Sequence, residues 1–112
     1  MAGSCLFCRI VAGELSSRRV YEDDRVVAFE DIQPVAPVHV LLVPRRHLAS
    51  LADLTPEDGD LAGHLLLVAA RLGGELCPDG YRLLVNTGEE AGQTVGHLHL
   101  HVLGGRRLGA LG

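Results

Sequence analysis

The sequence predicts an α+β domain, an antiparallel meander sheet of about five strands with one long helix and a short N-terminal helix. Three observations predict it. Short β-branched and apolar runs bounded by turn residues recur along the chain. One central segment repeats leucine and valine at helical spacing. The runs cluster before and after that helix instead of alternating with helices, which argues against a parallel sheet. At 112 residues the chain suits one compact domain, residues 1–112, and is too short for two ordinary ones.

Taken in order, CLFCRIVAG (5–13) reads as a short helix closed by Gly13. RRVYEDDRVVAFEDI follows as two strands around an Asp23-Asp24 turn. VHVLLVP (38–44) is a third strand, with Pro34 and Pro37 on its approach and neither inside it. The long helix is expected to start near Thr55, an N-cap residue followed by Pro56 and by the acidic Glu57, Asp58 and Asp60. Leu61, Leu65, Val68, Leu72 and Leu76 form its buried stripe, and Gly73-Gly74 weakens its last turns. YRLLVN and TVGHLHLHVLG supply the last two strands. Both helices are expected on one face of the sheet.

Composition excludes several functions. The net charge of −4 lacks the basic surface that non-specific nucleic-acid binding needs, so no nucleic-acid partner is expected. All ten basic residues are arginines, which rules out a lysine nucleophile or a phosphate-loop lysine. No stretch approaches the roughly 20 apolar residues of a membrane helix, and MAGSCLFCRI carries no secretory pattern. No membrane partner and a cytoplasmic location are therefore expected. Three cysteines make a disulfide framework improbable there. Cys77 reads as a small packing residue. Cys5-x-x-Cys8 has metal-ligand spacing, but only half a zinc site, and it lacks the βαβ context of a redox motif.

GHLHLHVLGG (96–105) is the most informative stretch. On a strand, His97, His99 and His101 share one face and Leu98, Leu100 and Val102 the other. Neighbouring histidines then sit about 6.6–7 Å apart along the strand, too far for three to surround one ion. Exposed decoration, an H-x-H metal site and acid–base or nucleophilic chemistry all remain open. The last is favoured, because imidazole is largely neutral near pH 7 and readily protonated.

HLHLHVL fits H-φ-H-φ-H-φ-φ, and the chain thereby resembles the histidine triad (HIT) superfamily. YEDDRVVAFEDIQPVAPVHVLLVPRRH, GYRLLVNTG and the GGRR after the triad are similar to the Hint branch of nucleoside phosphoramidate hydrolases. AGQTV also resembles the fragile-histidine-triad branch, which hydrolyses dinucleoside polyphosphates. The resemblance implies a HIT-like fold, a purine nucleotide substrate, a homodimer and AMP release through a nucleotidyl-histidine intermediate. A dinucleoside polyphosphate hydrolase and a nucleotide-binding regulator with incidental hydrolysis are the alternatives.

The same resemblance assigns residues. His99 matches the nucleophile, while His101 and His39 match groups that lie against the phosphate oxygens. Asn86, Gly92, Gln93 and Thr94 match the phosphate and leaving-group side, with Thr94 offering a hydroxyl where the Hint branch more often has serine. Asp31 and Ile32 match the nucleoside pocket, the carboxylate for the ribose hydroxyls and the isoleucine for the base. His101 argues against the transferase relatives that carry glutamine there. The tail RRLGALG lacks an aromatic found in some relatives. Zinc-bearing relatives pair C-x-x-C with two such histidines, which implies a structural zinc on Cys5, Cys8, His47 and His97 and no catalytic metal. His64 is expected at a surface or interface.

Overall fold

A computed structural model describes residues 5–110; the first four residues of the N-terminal stretch and the last two of the tail lie outside the described residues. The elements in chain order are α1 (Leu6–Val11), β1 (Arg19–Glu22), β2 (Val26–Glu30), β3 (Val38–Pro44), α2 (Gly59–Leu76), β4 (Tyr81–Leu84) and β5 (Leu100–Gly104). All strand pairs are antiparallel, in the spatial order β1-β2-β3-β5-β4. The first three strands form a meander. The final pair enters in reverse, so β5 lies against β3 and β4 takes the edge.

Local chemistry accounts for the element boundaries. The β1–β2 turn is closed by Asp23, whose Oδ1 accepts the N–H groups of Arg25 and Val26 at 2.8 Å each. Before α2, Asp58 Oδ2 accepts the Thr55 N–H at 2.9 Å, and Pro56–Asp58 forms a 3₁₀ turn. The α-helix proper therefore begins at Gly59, four residues beyond the predicted cap. Gly73-Gly74 does not end it. A Cβ on Gly73 would stand 2.6 Å from the Tyr81 ring, so glycine there lets β4 pack close beneath the helix.

The predicted final strand is shorter than its alternation suggests. Pairing begins only at Leu100, opposite Leu42. In that register Leu98 and His99 would stand opposite Pro44 and Val43, where proline has no N–H for the ladder, and residues 94–97 lie beyond the end of β3. The Leu98 N–H bonds instead to the Leu48 carbonyl at 2.6 Å. YRLLVN likewise contributes only Tyr81–Leu84 to the ladder.

The helices lie on opposite faces, against the one-face expectation. Val26, Ala28, Val40, Leu42, Leu100 and Val102 pack with Leu65, Val68, Ala69 and Leu72 of α2. Val27, Phe29, Leu41 and Val43 pack with Phe7, Cys8 and Ile10 on the α1 side. The cause is visible in the strands: β2 and β3 are apolar at successive positions, so both of their faces need cover. Among the described residues no helix is long and apolar enough to cross a membrane.

Candidate active site and metal centre

Two side-chain clusters share the α1 face. The first gathers Cys5, Cys8, His47 and His97, with one donor atom from each within 4.8 Å of all the others. Cys5 caps the start of α1, and its Sγ accepts the Cys8 N–H at 3.3 Å. His97 Nδ1 lies 3.2 Å from Cys5 Sγ and 3.5 Å from Cys8 Sγ. His47 Nδ1 lies 3.2 Å from both Cys8 Sγ and His97 Nδ1. A tetrahedral zinc site has donor–donor edges of about 3.3–3.8 Å, given metal bonds of about 2.0–2.3 Å. The four edges just given, 3.2–3.5 Å, lie within a few tenths of an ångström of that.

The protons agree with a cation. His97 is fully buried, and its Nε2 lies 2.9 Å from the Pro44 carbonyl, an acceptor only. Nε2 therefore donates, and Nδ1 turns a lone pair into the cluster, the tautomer a metal-ligating imidazole needs. Burial also lowers the His97 pKa, which keeps the ring neutral.

The second cluster holds His39, His99 and His101. His99 is buried, and its Nδ1–H donates to the His97 carbonyl at 2.7 Å. That bond leaves a lone pair on Nε2. Along β3, the Val35 N–H donates to His39 Nδ1 at 3.2 Å, so His39 carries its proton on Nε2. His39 Nε2 then donates to His101 Nδ1 at 2.9 Å. His101 in turn carries its proton on Nε2, the one buried side-chain nitrogen or oxygen without a partner among the described residues. Two tautomers, those of His39 and His101, follow from a single backbone N–H. A buried donor left open beside a bare imidazole nitrogen is what an anionic ligand would complete.

Burial, with His99 and His39 adding to it, pushes the His101 pKa down to about 4. Burial also lowers His39, opposed by the Asp31 carboxylate whose Oδ2 is 3.5 Å from His39 Nε2. These rings are neutral at pH 7. The free protein thus offers N–H dipoles at the site where an imidazolium was also conceivable.

The other predicted residues are placed unevenly. Asp31 ends β2, where its Oδ1 accepts the Gln33 N–H at 2.9 Å. Ile32 beside it is 92% exposed. Thr94 is exposed and Asn86 half-buried. Gly92 adopts φ +86°, so its glycine is required by the backbone of this loop. Gln93 differs from expectation. Its Nε2 donates to the carbonyls of Ala49 at 2.7 Å and Val95 at 3.0 Å, and its Oε1 accepts the Gly88 N–H at 3.0 Å. The side chain fastens the loop around Gly92 to the loop that carries His47.

Phe7 was not foreseen. Its ring meets His99 edge-on, with centroids 5.0 Å apart, and also meets His97 at 6.0 Å and Phe29 at 5.5 Å. Its position between the two cysteines was the available signal. His64 is not free on the surface; its Nε2 lies 2.6 Å from Asp23 Oδ2 and ties α2 to the β1–β2 turn. Cys77 is buried beneath β5, as a packing residue should be.

The family model of the HIT domain matches residues 12–108. An uncharacterized HIT-like protein of Synechocystis is 51% identical over 95% of this chain and 94% of its own. The purine nucleoside phosphoramidase of Escherichia coli K12 is 41% identical over 99% of this chain and 95% of its own. A histidine triad protein from Clostridium difficile superposes with a TM-score of 0.91 at 43% identity, covering 96% of both chains. A Zn-bound histidine triad family protein from Mycobacterium smegmatis gives a TM-score of 0.82 at 36% identity, over 95% of this chain and 78% of that one.

Proposed function

Since the chain belongs to the HIT family, we propose that it is a nucleotide hydrolase that cleaves purine nucleoside 5′-phosphoramidates at the α-phosphorus and releases AMP. The observation that carries this reading is the 2.7 Å bond from His99 Nδ1–H to the His97 carbonyl, which leaves Nε2 as the nucleophile. His99 Nε2 attacks phosphorus, and the phosphorus–nitrogen bond to the amine breaks. The amine departs with the proton of the Thr94 hydroxyl, which the attacking water restores in the second step. Water then displaces His99 from phosphorus, AMP leaves, and the ring returns to its neutral form.

Charge that grows on the phosphate oxygens is met by His101 Nε2–H, the open buried donor. His39 has both nitrogens engaged, so it acts by holding the His101 tautomer, as a positioning residue. The backbone around Gly92 and the half-buried Asn86 line the phosphate side, where Gln93 holds the loop in place. Asp31 takes the ribose hydroxyls, and the exposed Ile32 supplies apolar surface that a purine base covers.

Zinc is the metal that Cys5, Cys8, His47 and His97 fit. Four protein donors leave no open position, so bound zinc would supply a structural cross-link. A homodimer also fits the surface. Leu66 and Leu67 stand exposed on α2, and β4 is an unpaired edge, both of which a two-fold partner would cover.

The test compares AMP release from adenosine 5′-phosphoramidate and from a diadenosine polyphosphate, with His99→Ala as control. Preference for the phosphoramidate and loss of activity in His99→Ala are expected. Preference for the dinucleotide would shift the reading to that hydrolase. Full activity in His99→Ala would remove His99 as nucleophile.

A further inference from the structure

We propose that the four-donor centre positions the nucleophile: a divalent metal ion on Cys5, Cys8, His47 and His97 fixes the ring of His99 and so sets the rate of the chemical step. The inference deepens the hydrolase reading and rests on His99 being its nucleophile. Two separate connections run from the centre to that ring.

The first passes through one residue. His97 turns Nδ1 into the cluster, while its own carbonyl accepts the His99 Nδ1–H. A ligand bond at Nδ1, together with the Nε2–H bond to Pro44, holds this ring at both nitrogens. Whatever fixes His97 therefore fixes the acceptor that selects the His99 tautomer. That selection matters because a neutral imidazole has two tautomers, and only the one with Nε2 bare can attack from that atom.

The second connection passes through α1. Its six residues are too few to persist as an isolated helix, so its place depends on what it is fastened to. Cys5 and Cys8 fasten it to the centre, and Phe7 between them presses edge-on against both His97 and His99. Ligation thus holds an aromatic wall against the nucleophile. Freed cysteines would loosen the wall and the carbonyl together.

The experiment compares four preparations: zinc-loaded protein, chelator-stripped protein shown to be folded by amide NMR, the stripped protein reloaded with zinc, and zinc-loaded Phe7→Leu. Nitrogen-15 shifts of the His99 ring report which nitrogen carries the proton. kcat and KM for adenosine 5′-phosphoramidate report the consequence. The loaded protein is expected to show a single Nδ1–H tautomer. Stripping should give a tautomer mixture and lower kcat by about tenfold with KM changed less than about twofold, and zinc should restore both. Phe7→Leu, with all four donors intact, should bind zinc normally and still lose part of kcat.

Unchanged His99 shifts and unchanged kcat in the folded, stripped protein would overturn the proposal. If stripping unfolds the chain, His47→Gln, which removes one donor of the centre and leaves Cys5, Phe7, Cys8 and His97 in place, decides: wild-type shifts and kcat in that variant would overturn it. Absence of phosphoramidate turnover in the loaded wild type would defeat the hydrolase reading instead, and the ring shifts would still decide whether the centre positions His99.

Discussion

Removing His39 and His101 singly and together separates direct contact with substrate from positioning. His101 Nε2 is buried, protonated and without a partner among the described residues, the arrangement of a donor kept for a developing anion. Loss of one such donor costs about 2.7–4 kcal/mol in the transition state, about 100- to 1000-fold in kcat. His101→Ala should show that loss with little change in KM. It should also keep its fold, because Asp31 Oδ2, already 3.5 Å from His39 Nε2, can take over that donor. His39 has no nitrogen left for substrate, so His39→Ala should cost only what a partner of an active residue costs, about 10- to 100-fold. The decisive measurement is the double variant. If His39 acts only through His101, the double loss equals that of His101→Ala, with a coupling energy of about 1.4–2.7 kcal/mol. Steady-state kcat and KM for AMP release, with a thermal melt on each variant, supply the cycle. Independent losses that multiply, or a His39→Ala loss larger than that of His101→Ala, would refute the positioning role.

Three further outcomes follow from the same geometry. His101 and His39 have pKa values held below the ordinary 6.5, His101 at about 4, so the unfolded chain binds protons that the fold refuses. Stability should be full above about pH 6.5 and fall as the pH drops towards 4; a flat melting temperature across that window would contradict the neutral rings. A Cβ on Gly104 would collide with the Cys77 side chain, so Gly104→Ala should lower stability by about 1–3 kcal/mol in a denaturant titration. Adding Cys77→Ala should recover part of that loss, and no recovery would mean that another contact causes the strain. Metal analysis should find one zinc per chain in the wild type and none in Cys5→Ser/Cys8→Ser. Zinc lost on mutating His99 instead would place the metal in the wrong cluster.

Local chemistry made much of the fold legible. Asp23 marks the β1–β2 turn, VHVLLVP has no other good reading than a strand, and the Leu65/Val68/Leu72 repeat sets the buried side of α2. What failed was decided by distant partners. Residues 94–99 alternate like a strand, yet they lie at or beyond the end of β3, where Pro44, half a chain away, has no N–H for the ladder and its carbonyl meets the His97 ring. The face chosen by α1 could not be read from six residues with little periodicity; it is set by Val27, Phe29, Leu41 and Val43 on the sheet. The grouping of His39, His99 and His101 was legible through their motif, as was that of Cys5, Cys8, His47 and His97. Gln93 was not, because an amide that binds three backbone groups looks in sequence like one available to a ligand.

Because the two helices cover opposite faces, strand position acts as an address. On β2, β3 and β5 the even-numbered residues, Val26, Ala28, Val40, Leu42, Leu100 and Val102, lie under the eighteen-residue α2. The odd-numbered His39 and His101 lie on the other side with Leu41 and Val43, under the much smaller α1. A saturation scan read by abundance and by turnover should therefore set the two histidines apart from the apolar positions of both faces, Val27, Phe29, Leu41 and Val43 included. The apolar positions should fail through loss of folded protein, whereas His39 and His101 should fail in catalysis at near-normal abundance. Selection on substrate range thus has a face to work on that the main core does not share.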